Sequence, residues 1–193
     1  MMKVGLDDIT GFSTYEKVRD DFRRRIIELK KRRRVSVGDK VSLVFENRDT
    51  VIFQIQEMLR AERITDLDKI REEIEVYNSL VPEPGELSAT LFLEIEDQSH
   101  LREELLKFLG IDEVAFIKIG ERHSIHAKFE DGHSREDKIS AVQYVKFPFT
   151  QEQIQAFAKG EEAAVVLIDH PNYRAMTTLE PEVRKSLAGD LLS

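Results

Sequence analysis

The chain contains no cysteine and no tryptophan, few prolines (5) and few glycines (9) among its 193 residues. Without cysteine it can form no disulfide, hold no zinc through thiolates, anchor no iron–sulfur cluster by cysteine and perform no thiol chemistry. No stretch approaches the roughly 20 apolar residues that span a bilayer. The opening Met1-Met2-Lys3-Val4-Gly5 runs into Asp7 and Asp8, which does not read as a secretory leader. A cytoplasmic location is the expectation. Four chemistry-bearing signatures are also missing: the phosphate loop, the glycine-rich dinucleotide turn, the Gly-x-Ser-x-Gly elbow and the His-Glu-x-x-His helix. Each of these needs its residues at fixed spacing, so their absence argues against the common nucleotidases, dehydrogenases, serine hydrolases and zincins.

What is present is charge. The chain is 34% charged and 41% hydrophobic, with a net charge of −8. That describes a globular protein long enough to bury a core. The charge is unevenly spread, since residues 17–34 carry ten cations and three anions. Such asymmetry marks a docking face or an internal complementarity.

Hydrophobic spacing organises the rest. Tyr15, Val18, Phe22, Ile26 and Leu29 predict an amphipathic helix over about 14–33, with Ser13 and Glu16 at capping-box spacing. It closes on Lys30-Lys31-Arg32-Arg33-Arg34. Val41, Leu43 and Phe45 alternate with polar residues, as in a strand. Residues 51–63 are good helix formers with apolar side chains on more than one face, which predicts a mostly buried helix. A further helix is expected at 66–79. Val81-Pro82-Glu83-Pro84-Gly85 is a stiff loop. Beyond it come a strand around 88–95, a helix at 98–109 and strands at 113–119, 122–129 and 140–147, with Asp131-Gly132 at a turn. A helix capped by Thr150 and Gln153 stops at Gly160. A hairpin over 163–177 turns at His170-Pro171-Asn172, and a last helix covers 180–191. Together these predict an α+β fold: a mainly antiparallel sheet packed against helices, with a helical first third. A single domain over 1–193 is expected, the alternative being a division near 82–85.

Four groups of residues carry chemistry. Lys30, Lys31, Arg32, Arg33 and Arg34 suit an acidic protein partner or a small anion; equally, cations in a last helical turn complement the helix dipole. No aromatic residues interleave with them, which argues against nucleic acid. The second group lies on and before the 51–63 helix. Arg48, Arg60 and Arg63 read as anion anchors, Gln54 and Gln56 as polar lining, and Glu57 as the candidate acid or base. The competing account is a buried network tying helix to sheet. Third, His100, His123, His126, His133 and His170 are scattered. His123 and His126 lie three apart on a strand and face opposite sides, and Glu130 and His133 run through a turn, so no metal site is expected. Fourth, Asp169-His170-Pro171-Asn172-Tyr173 brings a carboxylate, an imidazole and a phenol to one strand end, or simply makes a hairpin turn.

These residues carry a resemblance. Leu29 to Val35, Gly38-Asp39, Phe45 to Thr50 and Gln54 to Arg63 resemble the signature of a bacterial family catalogued as domain of unknown function 3501. Leu87 to Leu91, Ser140 to Val145 and Asp169-His170-Pro171 with Tyr173 fit the same pattern, so nearly the whole chain is covered. The resemblance implies a setting beside rubrerythrin-like and iron–sulfur oxidoreductase proteins, and hence an accessory or binding module that docks on an acidic redox partner. This chain lacks the ligands for such cofactors, and none is expected in it. The alternative is an enzyme or sensor for a small anion, built on Arg48, Arg60, Arg63 and Glu57.

Overall fold

A computed structural model describes residues 1–130, 134–135 and 138–193. The first long helix, α1, spans Phe12–Lys31. It starts before Ser13: Gly11 is its N-cap, its carbonyl accepting from the Thr14 and Tyr15 amides at 3.0 and 2.9 Å. Ser13 and Glu16 therefore lie inside the helix and form no capping box. The helix also ends early, because the chain is needed for a strand that the cation run hides. Strand β1 is Arg34–Val37, and it pairs antiparallel with β2, Val41–Glu46. The turn between them uses Gly38 at φ +72, where a Cβ would collide with the Tyr173 hydroxyl. Only glycine fits that conformation and that approach.

Helix α2 is Arg48–Ala61, begun by a reciprocal cap in which the Asn47 side chain accepts from the Thr50 amide and the Thr50 hydroxyl accepts from the Asn47 amide. Helix α3 is Leu67–Tyr77, capped by Asp66. Strand β3, Glu86–Leu93, follows the Pro82–Gly85 loop and pairs directly with β2 over Val41–Glu46. The Pro-Gly loop thus leads back into the same sheet. Helix α4 is short, Leu101–Leu106. Strands β4 (Ala115–Ile119) and β5 (His123–His126) form a hairpin. The strand expected at 122–129 breaks at Ala127, and its end, β6 (Lys128–Phe129), joins the other sheet. A small ladder of β7 (Ser134–Arg135) with β8 (Lys138–Ile139) leads to β9, Val142–Pro148. The Asp131-Gly132 turn and His133 lie outside the described residues. Helix α5, Gln151–Lys159, runs from the Thr150–Gln153 box to Gly160 at φ +75, as its capping residues predict. The chain ends with β10 (Ala164–His170), β11 (Tyr173–Thr178) and α6 (Pro181–Leu191).

The fold is α+β. One sheet has the order β1-β2-β3-β9-β6 and the other β11-β10-β4-β5, both antiparallel. Because side chains alternate along a strand, the first sheet has two unlike faces. Val35, Val37, Leu43, Phe45, Leu91 and Phe147 point to a core shared with Ile117, Val166 and Ile168 of the second sheet and with Leu187 of α6. The opposite face carries Ser36, Val44, Glu46, Thr90, Phe92 and Tyr144. It is partly covered by α2, whose Val51, Ile55 and Leu59 build a second apolar cluster with Leu80 and Val81. Helix α1 packs on α2. No residue of α2 from Thr50 to Arg60 is exposed; Val51, Ile55 and Leu59 are buried, and Ile52, Phe53 and Met58 are half-buried.

Candidate functional site

The polar residues of α2 do not converge on one pocket. Glu57 is saturated: Arg19 of α1 holds it in a fork, Nε to Oε1 at 2.8 Å and Nη2 to Oε2 at 2.6 Å, and the buried Tyr15 hydroxyl donates to Oε1 at 2.8 Å. Those hydrogen bonds, Arg19 first, hold the Glu57 carboxyl below the usual range. Burial and the adjoining carboxylate push the Tyr15 phenol up. A general base near neutral pH needs the opposite tuning. Arg60 pairs with Glu16 at 2.5 Å, and Arg48 with Asp8 at 2.5 Å. Gln56 zips to the Thr10 backbone, accepting at 2.6 Å and donating at 3.1 Å. Arg63 stands exposed past the helix end at φ +53. These contacts tie α1 and the N-terminal segment onto α2.

The five cations divide as well. Arg33 is not a surface residue; it is 1% exposed and among the largest fully buried side chains. Its guanidinium donates to the Phe45 and Glu46 carbonyls at 2.7 and 3.0 Å, to the Ser186 hydroxyl at 3.1 Å and to the Asp190 carboxylate. Burial pushes the Asp190 carboxyl up against the pull of Arg33. Arg33 therefore leaves the group of partner-binding candidates and becomes the bolt between the first sheet and α6. Lys31 pairs with exposed Glu28 at 2.6 Å. Arg34 lies 3.9 Å from Glu94 and over the Phe92 ring at 5.9 Å. Lys30 is half-buried, and Arg32 is exposed.

Lys30, Lys31 and Arg34 meet Gln54 at one place. Between the C-terminal half of α1 and the polar face of the first sheet lies a groove of about 780 Å³. That size suits a small ligand. The three cations form its rim. Ile27, Val44, Phe92, Val142 and Tyr144 supply apolar and aromatic wall. Glu46, Thr90 and Gln54 supply polar groups. Glu46 is 2% exposed; its carboxylate accepts from the Thr50 hydroxyl at 2.5 Å and the Thr90 hydroxyl at 2.7 Å. Gln54 Nε2 is buried and has no hydrogen-bond partner among the described residues. Burial, with the Glu130 and Glu46 carboxylates, pushes the Tyr144 phenol up, so it keeps its proton. The arrangement can hold an anion at the rim and a flat or apolar body within.

Residues 3–191 match the family described as protein of unknown function, DUF3501. The chain belongs to this family. It is similar to a crystal structure of a novel protein of unknown function from Burkholderia pseudomallei K96243, with 34% sequence identity, a TM-score of 0.92, and coverage of 98% of this chain and 100% of that one. No curated protein matches it.

The other motifs of this DUF3501 protein are structural ties. His170 Nε2 donates to the Leu109 carbonyl at 2.8 Å, and its Nδ1 accepts from the Asn172 amide at 3.2 Å. Those two bonds fix one neutral tautomer. The Tyr173 hydroxyl donates to the Val37 carbonyl at 2.6 Å and accepts from the Lys40 amide at 3.0 Å, locking the β1–β2 turn. Asp169 instead pairs with Arg174 at 2.9 Å. His126 bonds the Glu113 carbonyl and His100 bonds Asp97. Among the described residues no three His, Asp or Glu side chains gather as metal ligands, and no helix is long and apolar enough to cross a membrane. Sequence reasoning missed Glu46 and Thr90 as site residues. Part of the signal was there: Glu46, Thr50 and Gln54 recur every fourth residue and so share a side of the strand-to-helix entry.

Proposed function

We propose that the protein is a binding module whose groove takes a small anionic ligand with a flat or apolar body. The observation that carries this reading is the partnerless Gln54 amide, buried in the wall of a cavity rimmed by Lys30, Lys31 and Arg34. A buried donor without an acceptor costs about 1–3 kcal/mol, and a ligand acceptor would relieve that cost. The anion site thus sits on the sheet face rather than around Glu57 and Arg60. The test is an amide chemical-shift titration with phenyl phosphate. Shifts should cluster at Ser36, Val44, Thr90 and Val142 and vanish in a Lys30→Ala, Lys31→Ala variant. Shifts confined to the Arg48–Arg60 surface, or none at all, would overturn the reading.

A second reading keeps the module and changes the occupant. Exposed Arg23, four residues before Ile27 and so on the same face of α1, extends the cationic rim, which favours docking of an acidic redox protein on that face. Such a complex should weaken as salt rises. Pull-downs at low and high ionic strength read this directly, and a complex indifferent to salt counts against it.

A further inference from the structure

The groove leaves a carboxylate and an amide amino group with open hydrogen-bonding capacity, and their pattern is specific. The Glu46 carboxylate is buried yet receives only hydroxyl donors, and no cation pairs with it among the described residues. Each carboxylate oxygen can accept about two hydrogen bonds, so each retains one. A carboxylate in that state offers two adjacent acceptors in one plane. Its complement is a flat edge with two neighbouring N–H donors, bound in the way a guanidinium binds. Gln54, on α2, adds an unpartnered amino group, with two N–H donors, in the same cavity. The groove therefore presents acceptor, acceptor, donor. Phe92 and Tyr144 stand in its wall, where a ring can stack. Lys30, Lys31 and Arg34 at the mouth supply the positive charge for an anionic tail.

We propose that the groove binds an anionic heterocycle with a guanine-type edge. The 2-amino group and the ring N–H lie on Glu46, the neighbouring carbonyl accepts from Gln54 Nε2, and the phosphate or carboxylate tail reaches the cations at the rim. Guanine and pterin share this edge. Hypoxanthine lacks the 2-amino donor, and adenine presents an acceptor where the ring N–H should be. The groove volume lies within the range of sites that enclose ligands of mononucleotide size. This proposal rests on the groove being the anion site, and it adds which body the anion carries.

Calorimetric titration of the full chain with GMP, IMP, AMP, pterin-6-carboxylate and inorganic phosphate tests it without altering the protein. GMP or pterin-6-carboxylate should bind about tenfold or more tighter than IMP and AMP, the loss expected when a hydrogen bond to a charged group is removed. Glu46→Gln, whose amide can still meet both threonine hydroxyls, should abolish that preference while keeping the folded circular dichroism. Lys30→Ala with Lys31→Ala should weaken GMP and leave guanosine unchanged. Equal affinity for GMP, IMP and AMP, with phenyl phosphate still shifting the groove amides, refutes the edge and leaves the anion site standing. Failure of every anion to bind refutes both.

Discussion

Arg32 and Arg33 are neighbours of the same type in a run of cations, and the fold gives them opposite roles. Arg33→Ala removes a fully buried guanidinium that satisfies two backbone carbonyls, one hydroxyl and one carboxylate. The Asp190 charge is then stranded in the contact between the first sheet and α6. Breaking a buried pair from one side costs about 3–5 kcal/mol, and urea slopes for chains of this size run at about 2–3 kcal/mol/M. The expected midpoint shift is therefore about 1–2.5 M in a urea melt followed by circular dichroism. Arg32→Ala, on the exposed side, should stay within about 0.5 kcal/mol of the parent. Asp190→Ala should cost about as much as Arg33→Ala, and the double variant less than the sum, since the second change no longer strands a charge. Equal, small effects at 32 and 33 would refute the assignment of Arg33 to the interior.

Glu57 is held below its usual range chiefly by Arg19. It therefore adds stability that is present above its unfolded value of about 4.3 and is lost as pH falls through the lower folded value. Glu57→Gln should cost about 1 kcal/mol at neutral pH, with the gap to the parent closing in acid; a gap constant from pH 7 to about pH 3 would refute this. Gly38→Ala combines a positive φ with expulsion of the Tyr173 hydroxyl. It should cost about 2–3 kcal/mol in the same urea melts. Tyr173→Phe loses only the two bonds of its hydroxyl, to Val37 and Lys40. That change should cost about 1–2 kcal/mol, less than Gly38→Ala.

Much of the fold can be read from local periodicity. The alternation at 41–45 and 163–169, and the caps of the 151–159 helix, are signals that tertiary structure has no cause to override. The failures are equally physical. A four-residue strand following a cation run looks like the frayed end of a helix, so β1 is hidden. With it goes the parity that sets Arg33 on the same side as Val35 and Val37. Ala127 shows no break in pattern because the chain stays extended while it changes sheets. The site was legible in its parts but not in its grouping. The cations and Gln54 stand out as residue types, but only the register of β2, β3 and β9 brings Glu46, Thr90 and Tyr144 beneath them. Arg48, Glu57 and Arg60 stand out more strongly, yet their partners come from α1 and the N-terminal segment, which no local pattern connects to α2.

The polar face of the first sheet poses the remaining question, because helix–sheet contacts are ordinarily apolar. A carboxylate buried there without a cation is costly, and hydroxyl donors from Thr50 and Thr90 offset only part of that cost. If Glu46 serves only the fold, its replacement by a neutral amide of the same shape should lower stability, because the hydroxyl-to-carboxylate bonds weaken. If it is kept for a ligand, the amide should raise stability, since sites retained for function carry unfavourable charge that the fold alone does not need. Glu46→Gln is expected to gain about 1 kcal/mol in urea melts at neutral pH while losing the guanine preference of the groove. A variant that is less stable and binds as before would return Glu46 to the fold and leave the groove to its cations and Gln54 alone.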